Sequence, residues 1–166
     1  MSLRRLGRAA LIGIAALALV ALAAVAIGPS VGLFSGSRPA GLGFAQGRFA
    51  DGGWRPNWVS STAPRDDAKH RIAPIAFSGD ARRAWGALEA VIAAMPRAKV
   101  VTRAPGYLHV EFASAGLGFV DDGEFALDAA GGVIHAKSAA RLGIRDFSVN
   151  RERIEAIRAA LAQSRK

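Results

Sequence analysis

The side chains with chemistry to offer are concentrated between Tyr107 and Arg153. His109 and Glu111 stand two residues apart, Asp121, Asp122 and Glu124 follow, and Lys137, Arg141, Arg151 and Arg153 supply cations. In an extended chain, residues two apart share a face, so His109 and Glu111 point together and away from Leu108 and Val110. Glu124, Lys137 and Arg141 can join them across neighbouring strands. An imidazole beside carboxylates could serve as a general base or hold an ion or a small polar ligand. His109 and Glu111 are therefore the catalytic candidates, and Asn57, Ser60, Ser61, Asp121, Asp122, Glu124, Arg141, Asn150 and Arg151 are the binding candidates. The competing reading is a structural one, in which opposite charges pair across strands at about 0.2–1 kcal/mol each and no substrate is involved.

Complete catalytic signatures are missing. His109-Val110-Glu111 lacks the cysteine pair that a zinc deaminase needs, and the chain has no cysteine at all. No G-x-S-x-G elbow frames Ser60, Ser61, Ser114 or Ser138. The Gly116-Leu117-Gly118 and Gly131-Gly132 pairs read as turns, because neither leads from a strand into a helix as a phosphate-binding loop does. No cofactor and no metal site is expected.

The elements that position these residues follow from hydrophobic spacing. Lys99–Arg103, Tyr107–Ser114, Phe119–Asp128 and Val133–Arg141 read as four strands. Their connections are so short that neighbours must run antiparallel. Leu108, Val110, Phe112, Phe125, Leu127, Ile134 and Ala136 then share one apolar face. Asp80 is the expected N-cap of a helix ending at Met95 ahead of Pro96, with Trp85, Leu88 and Ile92 on its inner stripe. Residues 151–164 form a closing helix on Ile154, Ile157 and Leu161, with Asn150 as its expected N-cap. His70–Phe77, interrupted by Pro74, is at best an edge strand. The fold class is α+β in two layers: an N-terminal membrane helix, then helix, four-stranded antiparallel meander and helix.

Of the 166 residues, 9–27 (AALIGIAALALVALAAVAI) carry no charge. As a helix this run is roughly 28 Å long, enough to cross a bilayer. Arg4, Arg5 and Arg8 precede it and all 13 acidic residues follow it. By the positive-inside rule, residues 1–8 stay cytoplasmic and everything after Gly28 is exported. The expected organisation is a basic segment (1–8), a transmembrane anchor or signal peptide (9–27), a linker or extended segment (28–55) and an exported domain (56–166). A single-pass protein of the bacterial inner membrane with a periplasmic domain is the first reading. Secretion after cleavage at Ala24-Val25-Ala26 is the alternative.

The net charge of +9 leaves 19 basic against 13 acidic residues beyond the leader. In an exported domain this favours anionic headgroups over nucleic acid as a partner. The partners expected are the membrane, through residues 9–27, and an envelope protein or a small polar ligand. Trp54 and Trp58, in RPNWVSS, read either as loop packing or as residues at headgroup level.

The motifs RPNWVSS, YLHVEFAS, GFVDDGEF and SAARLGIRDFSVNRERIEAIR occur in the order and at roughly the spacing of an uncharacterised family, which the chain resembles over about residues 56–160. It is the family catalogued as domain of unknown function 1499. Trp58 stands where that family usually has cysteine, and Gly123 where it usually has an apolar residue. The resemblance implies a shared fold and brings no activity with it. Three functional classes follow: a tethered binding or accessory domain, a hydrolase-like or metal-dependent enzyme using the face around His109 and Glu111, and a lipid-surface module using Trp54 or Trp58.

Overall fold

The computed structural model describes residues 3–163. Met1 and Ser2 of the basic segment and Ser164, the last residue of the expected closing helix, lie outside them. Helix α1, Leu3–Ile27, is the apolar leader; Gly7–Ile27 is long and apolar enough to cross a membrane, and the most apolar part of it is not buried against the rest of the chain. After it come the two-residue strands β1 (Phe44–Ala45) and β2 (Arg48–Phe49), which pair with each other.

The main sheet has six strands where the hydrophobic pattern predicted four. The meander is as expected: β5 (Ala98–Ala104), β6 (Tyr107–Ala113), β7 (Val120–Asp128) and β8 (Val133–Ala140), each antiparallel to the next. The two additional strands are β3 (Trp58–Ser60) and β4 (Ile75–Ala76). They lie end to end along the free edge of β8, β3 against Lys137–Ala139 and β4 against Val133–Ile134. β4 falls within the edge strand expected at best over His70–Phe77, whereas β3, with three residues, is too short to display a period. β5 forms the opposite edge of the sheet, where the charges of Lys99 and Arg103 discourage further strand addition.

Helix α2, Ala81–Ala94, starts where Asp80 accepts a hydrogen bond from the Arg83 amide at 2.7 Å, as expected of its N-cap. Helix α3, Val149–Gln163, starts differently. Asn150 lies inside its first turn, fully buried, and it is the Asp146 carboxylate that accepts from the Ser148 and Asn150 amides at 3.2 and 2.9 Å. Two oxygen-bearing candidates four residues apart compete for this role. Asn150 is taken instead by a buried polar cluster.

Both helices pack on one face of the sheet. Leu88 and Ile92 of α2 and Ile154, Ile157 and Leu161 of α3 close over Leu108, Val110, Phe112, Phe125, Ile134 and Ala136. Each fully buried side chain of this size contributes about 1.5–3 kcal/mol. Register decides which residues share this face: Leu108 lies opposite Phe125 and Val110 opposite Gly123, while His109 lies opposite Glu124 and Glu111 opposite Asp122. The second set is the other face of the sheet. There the chain between Gly36 and Gly53 is laid down as a strap.

Candidate functional site

The face turned away from the helices is ionic and closed. His109, Asp122 and Glu124 are 2%, 2% and 1% exposed. His109 Nε2 donates to Asp122 Oδ1 at 2.7 Å, the direction that an ionised carboxylate dictates. Arg141 clasps the same carboxylate with two bonds, Nε to Oδ2 and Nη2 to Oδ1, both at 2.7 Å, and Nη2 also reaches Glu111. Arg38, from the strap, donates to Glu111 from Nε at 3.0 Å and from Nη2 at 2.6 Å.

The strap makes further attachments to this face. The Gly43 amide donates to Glu124 Oε2 at 2.6 Å, Lys137 Nζ donates to the Ala50 carbonyl at 2.8 Å, and the Phe44 ring stacks on His135 at 5.4 Å. Tyr107 also donates to Glu124 Oε2, at 2.8 Å. Glu124 Oε1 is buried and accepts no hydrogen bond; its counter-charge is Lys137 Nζ at 3.4 Å, close enough for an ion pair but not directed at it.

Burial would raise the carboxyls of Asp122 and Glu111. In Asp122 the hydrogen bonds from Arg141 and His109 outweigh it, and in Glu111 those from Arg141 and Arg38 do, so both are held below the usual carboxylate range. The bond to Asp122 pushes the Arg141 guanidinium further up, so it is permanently charged. Burial, with the Glu124 carboxylate beside it, pushes Tyr107 well above a normal phenol, so its hydroxyl stays a donor. The layer thus carries fixed charges, each beside its opposite.

The expected cluster does not hold together in full. Asp121 is on the opposite face, because adjacent strand residues alternate, and it lies opposite Ala140 on the helix side. There Arg153 donates to it at 2.6 Å while its other nitrogen donates to Asn150 and Ser138 at 2.7 and 2.9 Å, and the guanidinium lies 4.8 Å over the Phe112 ring. Asn150 Nδ2 donates to the Asn57 carbonyl at 3.1 Å, and Asn57 Nδ2 donates to the Gly143 carbonyl at 2.9 Å. Together they clasp α3, the start of β3 and the end of β8. Burial raises the Asp121 carboxyl despite Arg153.

Ser60, Ser61 and Arg151 belong to neither group. Ser60 bonds Thr62 at 3.0 Å, Ser61 accepts from the Ala136 amide at 3.0 Å, and Arg151 ties down the carbonyls of Arg71 and Lys69 at 3.0 and 2.9 Å. The segment Asn57–Ser61 does not lie over the polar face: its residues Trp58–Ser60 form an edge strand of the same sheet, and the cover is the strap upstream. Arg38, Gly43 and Ala50 were not legible as partners, since they lie in a glycine-rich run with no period. Trp58 is buried, stacked on His70 at 4.1 Å with its indole N–H on the Gly53 carbonyl, while Trp54 is exposed. Among the described residues no three His, Asp or Glu side chains converge as a metal site.

Open cavities lie elsewhere on the domain. A groove of about 740 Å³ runs between the first turns of α3 and the ends of β6 and β8, floored by Phe112 and walled by Phe119, Leu142, Phe147, Val149 and Ala156. Phe147 is 88% exposed at its rim. Its φ is +51° and that of Ser148 is +71°, left-handed conformations that cost of the order of 1–3 kcal/mol each outside glycine.

No curated protein and no solved structure matches the chain. A family model described as "Protein of unknown function" matches residues 52–161, which include all of the main sheet, α2 and most of α3, and the chain belongs to that family, DUF1499.

Proposed function

We propose that this is an envelope protein held in the bacterial inner membrane by α1, whose domain, on the outer side, binds a ligand or partner and does no chemistry of its own. One observation carries the second half of this reading. The residues with catalytic potential, His109, Glu111, Asp122 and Glu124, are paired with one another or with Arg141, Arg38, Lys137 and Tyr107 under the strap, so a substrate has neither access nor a free base to meet. Such a network fixes the strap to the sheet, and the groove beside α3, walled largely by apolar side chains, offers an open surface for recognition. Anchoring is supported by the length and apolarity of Gly7–Ile27 and by the arginines before it.

The test has two parts. Because the chain lacks cysteine, a single cysteine at exposed Trp54 can be labelled with an impermeant maleimide in intact spheroplasts. Labelling of a membrane-bound chain with its leader intact is the expected result, and a soluble chain beginning after Ala26 would overturn the anchor. For the second part, the purified full chain is screened with a broad panel of hydrolase substrates. Turnover that disappears in His109→Ala would overturn the non-catalytic reading.

A further inference from the structure

The groove and the membrane tether meet at the same end of the domain. Two residues beyond α1, Pro29 packs beside Gly118, where an added Cβ would stand 3.6 Å from the proline ring. The Phe34 ring lies 5.8 Å from that of Phe119, and Gly36 is pressed against Arg141 and Leu142. Phe119 and Leu142 are also walls of the groove. The chain that leaves the apolar helix therefore docks directly on the groove's rim. In a protein anchored by α1, these contacts keep the rim close to the point where the chain leaves the bilayer.

The lining fits an apolar chain better than a polar ligand. Of its acids and bases, Asp121 is engaged with Arg153, Asp146 with the first amides of α3, and Arg97 with the Ala113 carbonyl, while Glu152 and Arg145 lie exposed at its edge. Phe119, Leu142, Phe147 and Val149 stand exposed around the mouth, an apolar patch of the kind that marks an interaction surface. Phe147 stands outward on left-handed backbone at two successive non-glycine residues. The volume of 740 Å³ falls in the range of about 300–1,000 Å³ usual for ligand clefts. Arg145 is exposed at the edge, where a headgroup phosphate would lie.

We infer that the groove between the first turns of α3 and the ends of β6 and β8 takes up an acyl chain of a phospholipid drawn from the membrane surface to which the domain is tethered. This rests on the anchored reading above and names the ligand class of the open site.

The experiment uses the full chain in nanodiscs of phosphatidylethanolamine and phosphatidylglycerol doped with a phospholipid carrying a diazirine in its acyl chain. Adducts are mapped by mass spectrometry after irradiation. Adducts are expected on α1 and, separately, on groove residues such as Phe112, Phe147 and Ala156. Ala156→Trp, which fills the groove, should lower the groove adducts by on the order of tenfold and leave those on α1 unchanged. Phe147→Asp gives the same readout from an exposed position whose backbone aspartate tolerates, should the tryptophan variant not fold. Adducts on α1 alone would overturn the groove assignment while leaving the anchor standing. Adducts on neither would overturn both. Disulfide-linked dimers of Phe147→Cys, or a polypeptide cross-linked in the groove, would show that the occupant is protein and overturn the lipid assignment.

Discussion

Replacing Arg141 by methionine separates a sealed structural network from a solvated charged face. The substitution keeps much of the stem and removes the guanidinium. Asp122, 2% exposed, would lose both Arg141 hydrogen bonds and keep only His109, while Glu111 would keep Arg38. Removing one partner of a buried ion pair costs about 3–5 kcal/mol, because the remaining charge has neither water nor a counter-ion. Against a typical total of about 5–15 kcal/mol this is a large fraction, and for a domain of this size it corresponds to a fall in Tm on the order of 10–20 °C.

The pH dependence provides a second, independent sign. In the native protein the Asp122 carboxyl is held below its unfolded value, so its contribution to stability is fully present above about pH 4 and is lost as pH falls through the folded value. Without Arg141, burial acts against a single neutral or charged imidazole partner, and the carboxyl moves up. Lowering the pH from 7 to 5 should therefore narrow the gap between the variant and the native chain, since protonation removes the stranded charge. Asp122→Asn combined with Arg141→Met removes both charges and should be less destabilised than Arg141→Met alone. The assay is urea unfolding of the full chain in detergent, followed by near-ultraviolet circular dichroism at the two pH values. A loss below about 1 kcal/mol at pH 7, the value of an exposed pair, would refute the reasoning.

Three further outcomes follow from the same geometry. Gly123→Ala would place a Cβ 2.5 Å from the Phe112 ring, so it should destabilise by about 1–3 kcal/mol in urea melts, and Phe112→Leu in the same chain should recover part of that loss. Gly52→Ala would drive a Cβ into the Trp58 indole, and the expected result is faster amide exchange across residues 38–53 with protection in β6 and β7 retained; unchanged exchange would mean that the strap does not depend on this contact. In acid, the raised Asp121 carboxyl protonates first and its protonation favours the folded state, whereas Glu111 and Asp122 lose their contribution only at lower pH. Stability should hold or rise slightly on the way down and then fall below about pH 4, and Asp121→Asn should remove the early rise.

What the sequence disclosed, it disclosed through period. Leu108, Val110 and Phe112 alternate cleanly, and the stripe of Ile154, Ile157 and Leu161 repeats at helical spacing, so both the meander and the helices covering it were legible. β3 was not, because three residues complete no pattern, and β4 was legible only as the edge strand read across residues 70–77. The strap was not, because glycine, proline and isolated phenylalanines between Gly36 and Gly53 announce only irregular chain. Asp121 is a different case. Placing it beside Asp122 in one site contradicted the alternation that had already sorted Leu108 from His109, and the structure restores the rule by giving Asp121 to Arg153 and Asp122 to Arg141.

That alternation also bears on why charge is buried on this sheet at all. A buried ion pair contributes little net stability compared with well-packed apolar residues, so Asp122, Glu124 and Lys137 are poor choices if stability were the only requirement. Their effect on register is large, however. A slip of one residue between β6 and β7 would turn Asp122 and Glu124 toward Leu88 and Ile154, and the apolar Phe125 toward the strap, exchanging both layers at once. The cost of stranding two carboxylates in the core excludes that alternative more firmly than an apolar upper face would. On this argument the charges around His109 select one alignment of the sheet and one path for the strap, and they are occupied in doing so. The open groove lies apart from them, at the end of the sheet where β6 and β8 run out, beside the chain that leaves α1.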